Sequence, residues 1–117
     1  MKLSAHFCSS EFSCRCGCGF QLVDPELIAV LERIRLHAGN PISINSGCRC
    51  SAHNKKVGGK DKSLHLSGKA ADIVIKNMSP REVFSLLNQL YPENYGIGSY
   101  KTFTHIDVRA EPARWAE

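Results

Sequence analysis

Apolar residues recur at helical spacing in two stretches of the chain, and four other stretches alternate or run continuously apolar. Leu27, Val30, Leu31, Ile34 and Ala38 fall on one helical face. Asp24-Pro25-Glu26 supplies an N-cap, a proline at the first helical position and an acid in the first turn, and Gly39-Asn40-Pro41 stops the helix. A second helix opens on the capping box Ser79-Pro80-Arg81-Glu82, turns Val83, Leu86, Leu87 and Leu90 inward, and ends at Tyr91-Pro92. Strands are predicted over 42–45, 70–75, 96–100 and 103–109, the last two joined by a turn at Lys101-Thr102. Residues 6–20 read as an irregular arm rich in Cys and Gly. Gly47 to Gly59 reads as a loop with one helical turn after Ser51, broken by Gly58-Gly59. The order helix, strand, strand, helix, strand, strand predicts an α+β fold. An antiparallel or mixed central sheet carries the site, with helices packed on one face, in a single domain over 1–117 whose first 20 residues form the arm.

Composition narrows the class without naming an activity. A hydrophobic content of 43% with 22% charged residues excludes a disordered chain, and 117 residues suffice for a core without disulfides. No apolar run reaches membrane-spanning length, so membrane insertion is not expected. Met1 to His6 includes Lys2 but no apolar segment follows. The reading is therefore a protein without a secretory signal, made in the cytoplasm, that either stays there or is taken out by something other than a Sec signal. The net charge of +4 makes the surface mildly basic, but Lys and Arg are scattered. The one cluster, Lys55, Lys56, Lys60 and Lys62, reads as a solvated loop.

Six cysteines change the picture more. Cys8, Cys14, Cys16 and Cys18 lie in the arm; Cys48 and Cys50 flank Arg49. The C-x-C-x-C spacing is not the C-x₂-C of a zinc ribbon, so a nucleic-acid-binding zinc module is not expected. Two outcomes remain open: a disulfide or small metal site joining the arm to the Cys48–Cys50 loop, or free thiols.

The chemistry concentrates in Ser63-Leu64-His65-Leu66-Ser67-Gly68-Lys69-Ala70-Ala71-Asp72-Ile73, where a His and an Asp lie seven positions apart as a polar loop enters an apolar strand. Imidazole and carboxylate both suit zinc, and a catalytic zinc takes three protein ligands with one position open. In Phe103-Thr104-His105-Ile106-Asp107-Val108-Arg109, strand alternation puts Phe103, His105, Asp107 and Arg109 on one face and the apolar residues on the other. His105 is therefore the candidate third ligand. A surface Asp107–Arg109 ion pair beside an ordinary exposed histidine is the bland alternative. His6 and His37 read as structural; His53, following the Arg49 loop, is a weaker candidate for the site.

These blocks, with Ser46-Gly47-Cys48-Arg49-Cys50, Asn54, Val57-Gly58-Gly59 and Arg114-Trp115, resemble the M15 zinc peptidases. The chain is most similar to the branch of D-alanyl-D-alanine carboxypeptidases and murein peptidases, over about residues 6 to 115. The S-x-H-x-x-G-x-A-x-D block is the specific part. The resemblance implies Zn²⁺ held by His65, Asp72 and His105, Arg49 on a substrate carboxylate or the scissile carbonyl, and Ser63 on the substrate backbone. Guanidinium does bind carboxylate bidentately. One departure stands out: several members carry a general-base carboxylate three residues before the last histidine ligand, and here that residue is Thr102. Asp107 is then the nearest carboxylate, either as base or as the group orienting His105. The expected function is zinc-dependent hydrolysis of peptide bonds in peptidoglycan stem peptides by a monomer. The alternative is a zinc-binding, cell-wall-binding module of the same fold with impaired catalysis.

Overall fold

The computed structural model describes residues 1–117. The elements are α1 (Pro25–Ala38), β1 (Ile42–Ser46), α2 (Ser51–Lys56), β2 (Ala70–Ile75), α3 (Pro80–Leu90), β3 (Gly96–Ser99), β4 (Thr104–Asp107) and β5 (Ala113–Ala116). Short 3₁₀ turns cover Ser9–Phe12 and Leu64–Ser67. Both long helices begin as the sequence predicts. The Asp24 carboxylate accepts the Glu26 N–H at 2.8 Å, and Ser79 and Glu82 exchange side-chain-to-backbone hydrogen bonds at 3.2 and 2.9 Å. Helix α1 ends at Gly39 in the left-handed region, with φ of 70°.

The sheet is mixed, in the order β1-β2-β4-β3-β5. The first three pairings are antiparallel, and β3–β5 is parallel. One face is apolar: Ile42, Ile44, Ala71, Ile73, Ile75, Ile97 and Ile106 join Leu27, Val30, Leu31 and Ile34 of α1 and Val83 and Leu87 of α3 in one core. Each fully buried aliphatic side chain contributes roughly 1.5–3 kcal/mol of transfer free energy. Thr104 also faces the core, where its hydroxyl donates to the Pro80 carbonyl at 3.3 Å.

Four details differ from the sequence reading. The last strand pairs only over Thr104–Asp107, leaving Phe103 and Arg109 outside the ladder. His65 sits in an ordered 3₁₀ turn where the sequence reads as loop, so the sheet itself carries only Asp72 and His105. The fifth strand, β5, was not predicted; four residues after Glu111-Pro112 carry too little alternation to show one, and a long-range pairing with β3 sets it. The first strand also extends to Ser46, with a register shift between Ile44 and Ser46. Arg15 of the arm reaches that irregularity, donating to the Ile44 carbonyl at 2.6 Å.

Candidate metal centre and cleft

The polar face of the sheet builds a row. Asp72 pairs with His105, His105 with Gly98, and Gly98 with Trp115, so four strands deliver one residue each at a common level. His65 joins from the turn. Ser63 accepts the His65 N–H at 3.2 Å as the N-cap, and Gly68 closes the turn at φ 71°. The His65 carbonyl takes the Arg49 N–H at 2.9 Å, fastening the turn to the loop after β1.

The hydrogen bonds settle which ring nitrogens face inward. His65 Nδ1 lies 2.6 Å from the Gly47 carbonyl, which can only accept, so Nδ1 carries the proton and Nε2 presents a lone pair. His105 Nε2 donates to Asp107 Oδ2 at 2.7 Å, and its Nδ1 is turned toward Asp72. Asp72 Oδ1 lies 3.3 Å from His65 Nε2 and 3.0 Å from His105 Nδ1. Two imidazole lone pairs and a carboxylate oxygen thus converge, three acceptors that only a cation or an added proton satisfies. Their separations approach the edge of about 3.3–3.4 Å expected for ligands at 2.0–2.1 Å around a tetrahedral zinc. Backbone and carboxylate partners fixing the outer nitrogens are the usual support of metal-ligating histidines. The donor set fits zinc.

Charge agrees with this geometry. Burial raises the pKa of Asp72, but His105 and His65 outweigh it and bring it down to about 2. Burial lowers that of His105, and Asp107 and Asp72 overcome it to give a net rise. Asp107 is fully buried; its burial is opposed by Arg109, which clamps both oxygens at 2.8 and 2.6 Å, and by His105, so its carboxyl stays well below the usual range.

The group lies in an open cleft of about 710 Å³ that Arg49, Ser63 and Trp115 also line. The guanidinium of Arg49 spreads over three partners: Nε to Ser46 at 3.2 Å, Nη1 to Asn54 at 3.1 Å and Nη2 to Asp72 Oδ2 at 3.3 Å. Trp115 closes the far wall, its ring centroid 5.2 Å from that of His105, with the Arg109 guanidinium 5.1 Å from its centroid. This arrangement needs Gly98, where a Cβ would fall 2.3 Å from the indole nitrogen.

The predicted residues His65, Asp72, His105, Arg49, Ser63 and Asp107 are thus together. Thr102 is exposed in the turn before β4, and His53 does not line the cleft. His6 instead pairs with Glu32 at 2.6 Å, and His37 is exposed. Sequence reasoning gave no role to Asn54, Gly98 or Trp115. The Gly-Ile-Gly pattern of β3 was the available signal for a close approach over that strand.

A family model, Peptidase M15, matches residues 5–107. The chain belongs to the M15 peptidase family. M15 peptidases are zinc-dependent metallopeptidases, and the His65/Asp72/His105 group is the candidate metal site of this member. No curated protein matches the chain. No helix of this M15 chain is long and apolar enough to cross a membrane.

Proposed function

We propose that this M15 peptidase hydrolyses peptide bonds in peptidoglycan stem peptides, at a bond flanked by D-residues, as a D-alanyl-D-alanine carboxypeptidase or murein endopeptidase. The observation that carries the reading is the convergence of His65 Nε2, Asp72 Oδ1 and His105 Nδ1 in the cleft, beside a guanidinium with N–H groups to spare. In this reading His65, Asp72 and His105 hold zinc. Zinc, when bound, supplies a Lewis acid for the scissile carbonyl and lowers the pKa of water at the site.

The chain's own residues do the rest. Arg49 uses three of the five guanidinium N–H groups on Ser46, Asn54 and Asp72; the other two remain for a substrate carboxylate or carbonyl. Lys60 and Lys62 add positive charge to the cleft wall, suited to peptides that end in carboxylates. Ser63 caps the His65 turn and lines the cleft, within reach of a bound backbone. Asp107, enclosed by Arg109 and His105, orients the imidazole and has no free oxygen edge for taking a proton from the cleft. Of the acids lining the cleft only Glu117 is exposed, and proton exchange is assigned to it. Glu117→Gln should then cut kcat by about 10²–10⁴-fold with zinc content unchanged. An unaltered kcat removes Glu117 from the mechanism.

The position of Thr102 favours one second reading, a cell-wall-binding module with impaired catalysis. Incubating the zinc-loaded protein with purified peptidoglycan and reading the products by mass spectrometry separates the two. Released D-alanine indicates carboxypeptidase action, and opened cross-links indicate endopeptidase action. Intact stem peptides, with protein retained on the wall material, would establish the binding module.

A further inference from the structure

Four thiols outside the cleft form a second constellation. The Sγ atoms of Cys14, Cys16, Cys18 and Cys50 all lie within 4.8 Å of one another. Cys14–Cys16 is 3.5 Å, and Cys14–Cys50 and Cys16–Cys50 are each 3.7 Å. A disulfide needs about 2.05 Å. A tetrahedral zinc with Zn–S bonds of about 2.3 Å needs S···S edges of about 3.8 Å. We propose that Cys14, Cys16, Cys18 and Cys50 are a second metal site, a structural tetrathiolate centre for zinc that ties the N-terminal arm to the loop carrying Arg49.

The local chain is shaped for it. Gly17 and Gly19, flanking Cys18, adopt φ of 83° and 89°, which L-residues rarely take, and these turns bring Cys16 and Cys18 around to face Cys14. Two backbone N–H groups point at sulfur, that of Cys50 at Cys14 (3.3 Å) and that of His53 at Cys50 (3.4 Å). Such bonds favour the thiolate over the thiol. Burial raises the pKa of Cys14, but the Cys50 and Cys16 bonds outweigh it and bring it down to about 7. Four sulfurs within 4.8 Å repel one another once ionised, so a cation among them is what lets all four carry charge.

The other two cysteines show the contrast. The Cys48 thiol donates to the carbonyls of Phe12 (3.0 Å) and Phe20 (3.2 Å), and burial pushes its pKa up. Cys8 lies outside the group, with its N–H on Glu11 at 2.7 Å. Four thiolates leave no open position, so the site is structural. Its effect on the cleft runs through Arg49, whose neighbour Cys50 is a ligand. Loading the four thiols does not depend on whether the cleft hydrolyses peptides.

Zinc is removed from the full chain under reducing conditions, restored, and counted by elemental analysis after dialysis. Two equivalents are expected in the parent protein and in Cys8→Ser. One is expected in His65→Ala and one in the double variant Cys16→Ser/Cys18→Ser, whose two positions are exposed and whose core is untouched. Cobalt substitution gives a second readout: a thiolate-to-cobalt charge-transfer band that survives His65→Ala and is absent from the double variant. A zinc count that does not fall from the parent to the double variant, or an intact mass showing a disulfide among the four, would each overturn the proposal; a parent count of one that is lost in the double variant and kept in His65→Ala would instead count against metal in the cleft.

Discussion

Asp72 and Asp107 are both buried carboxylates near His105, yet their surroundings differ in kind. Asp107 has Arg109 on both oxygens and an imidazole N–H on one. Asp72 has a single arginine bond and two nitrogens turned toward it. One is neutralised by the protein and the other is left for a cation. Asp107→Asn should therefore weaken zinc affinity by roughly 10–100-fold and leave kcat at saturating zinc within a few-fold. A titration with a competing chelator beside a rate measurement checks this; intact affinity with a 10²–10⁴-fold fall in kcat would make Asp107 the base. At Gly98 the constraint is steric. Gly98→Ala must displace Trp115, at a cost of about 1–3 kcal/mol, and since the chain has one tryptophan its emission reports the displacement directly.

The elements divide by where their instructions lie. Helices α1 and α3 were legible because their caps are local: Asp24-Pro25 and Ser79-Pro80-Arg81-Glu82 name their own starts. The His65 turn read as loop, although its signals were local too, Ser63 as N-cap and Gly68 at the left-handed close. The grouping of His65, Asp72 and His105 was legible in motif and in the alternation of β4. The proton partners of the two imidazoles were not, because Gly47 lies 18 residues from His65 and only the fold brings it there. Strand β5 was hidden for the same reason. Arg114 holds it, donating to Asn88 in the last turn of α3 at 2.6 Å and to the Tyr91, Asn94 and Tyr95 carbonyls between α3 and β3. Arg114→Ala should cost about 2–3 kcal/mol and loosen Trp115, seen as a red-shifted emission well below the melting temperature, with zinc at His65, Asp72 and His105 retained. Unshifted emission would show that pairing to β3 alone holds β5.

At the scale of the molecule, the arm is fastened at both ends, by Arg15 on β1 and by a clamp on α1. Glu32 accepts from the Ser4 hydroxyl, from the His6 N–H at 2.8 Å and from His6 Nδ1 at 2.6 Å. Its slight burial favours the neutral acid, but these donors outweigh that and lower its pKa below the ordinary 4.5. A carboxylate depressed on folding stabilises above its unfolded pKa, and that contribution fades as pH falls through the folded value. The difference in urea midpoint between the parent and Glu32→Gln should be full at neutral pH and shrink below about pH 4.5. A constant difference would mean the clamp acts through packing.

The row Asp72–His105–Gly98–Trp115 exists at only one alignment of the strands. Side chains alternate, so a slip of one residue in β4 would turn His105 into the hydrocarbon and Ile106 into the cleft. Zinc at His65, Asp72 and His105 would thus recognise correct pairing alone. At a free metal concentration 100 times its dissociation constant it would favour the properly aligned chain by about 2.7 kcal/mol. The hydrolytic centre would in that way proofread the assembly of the sheet that supports it.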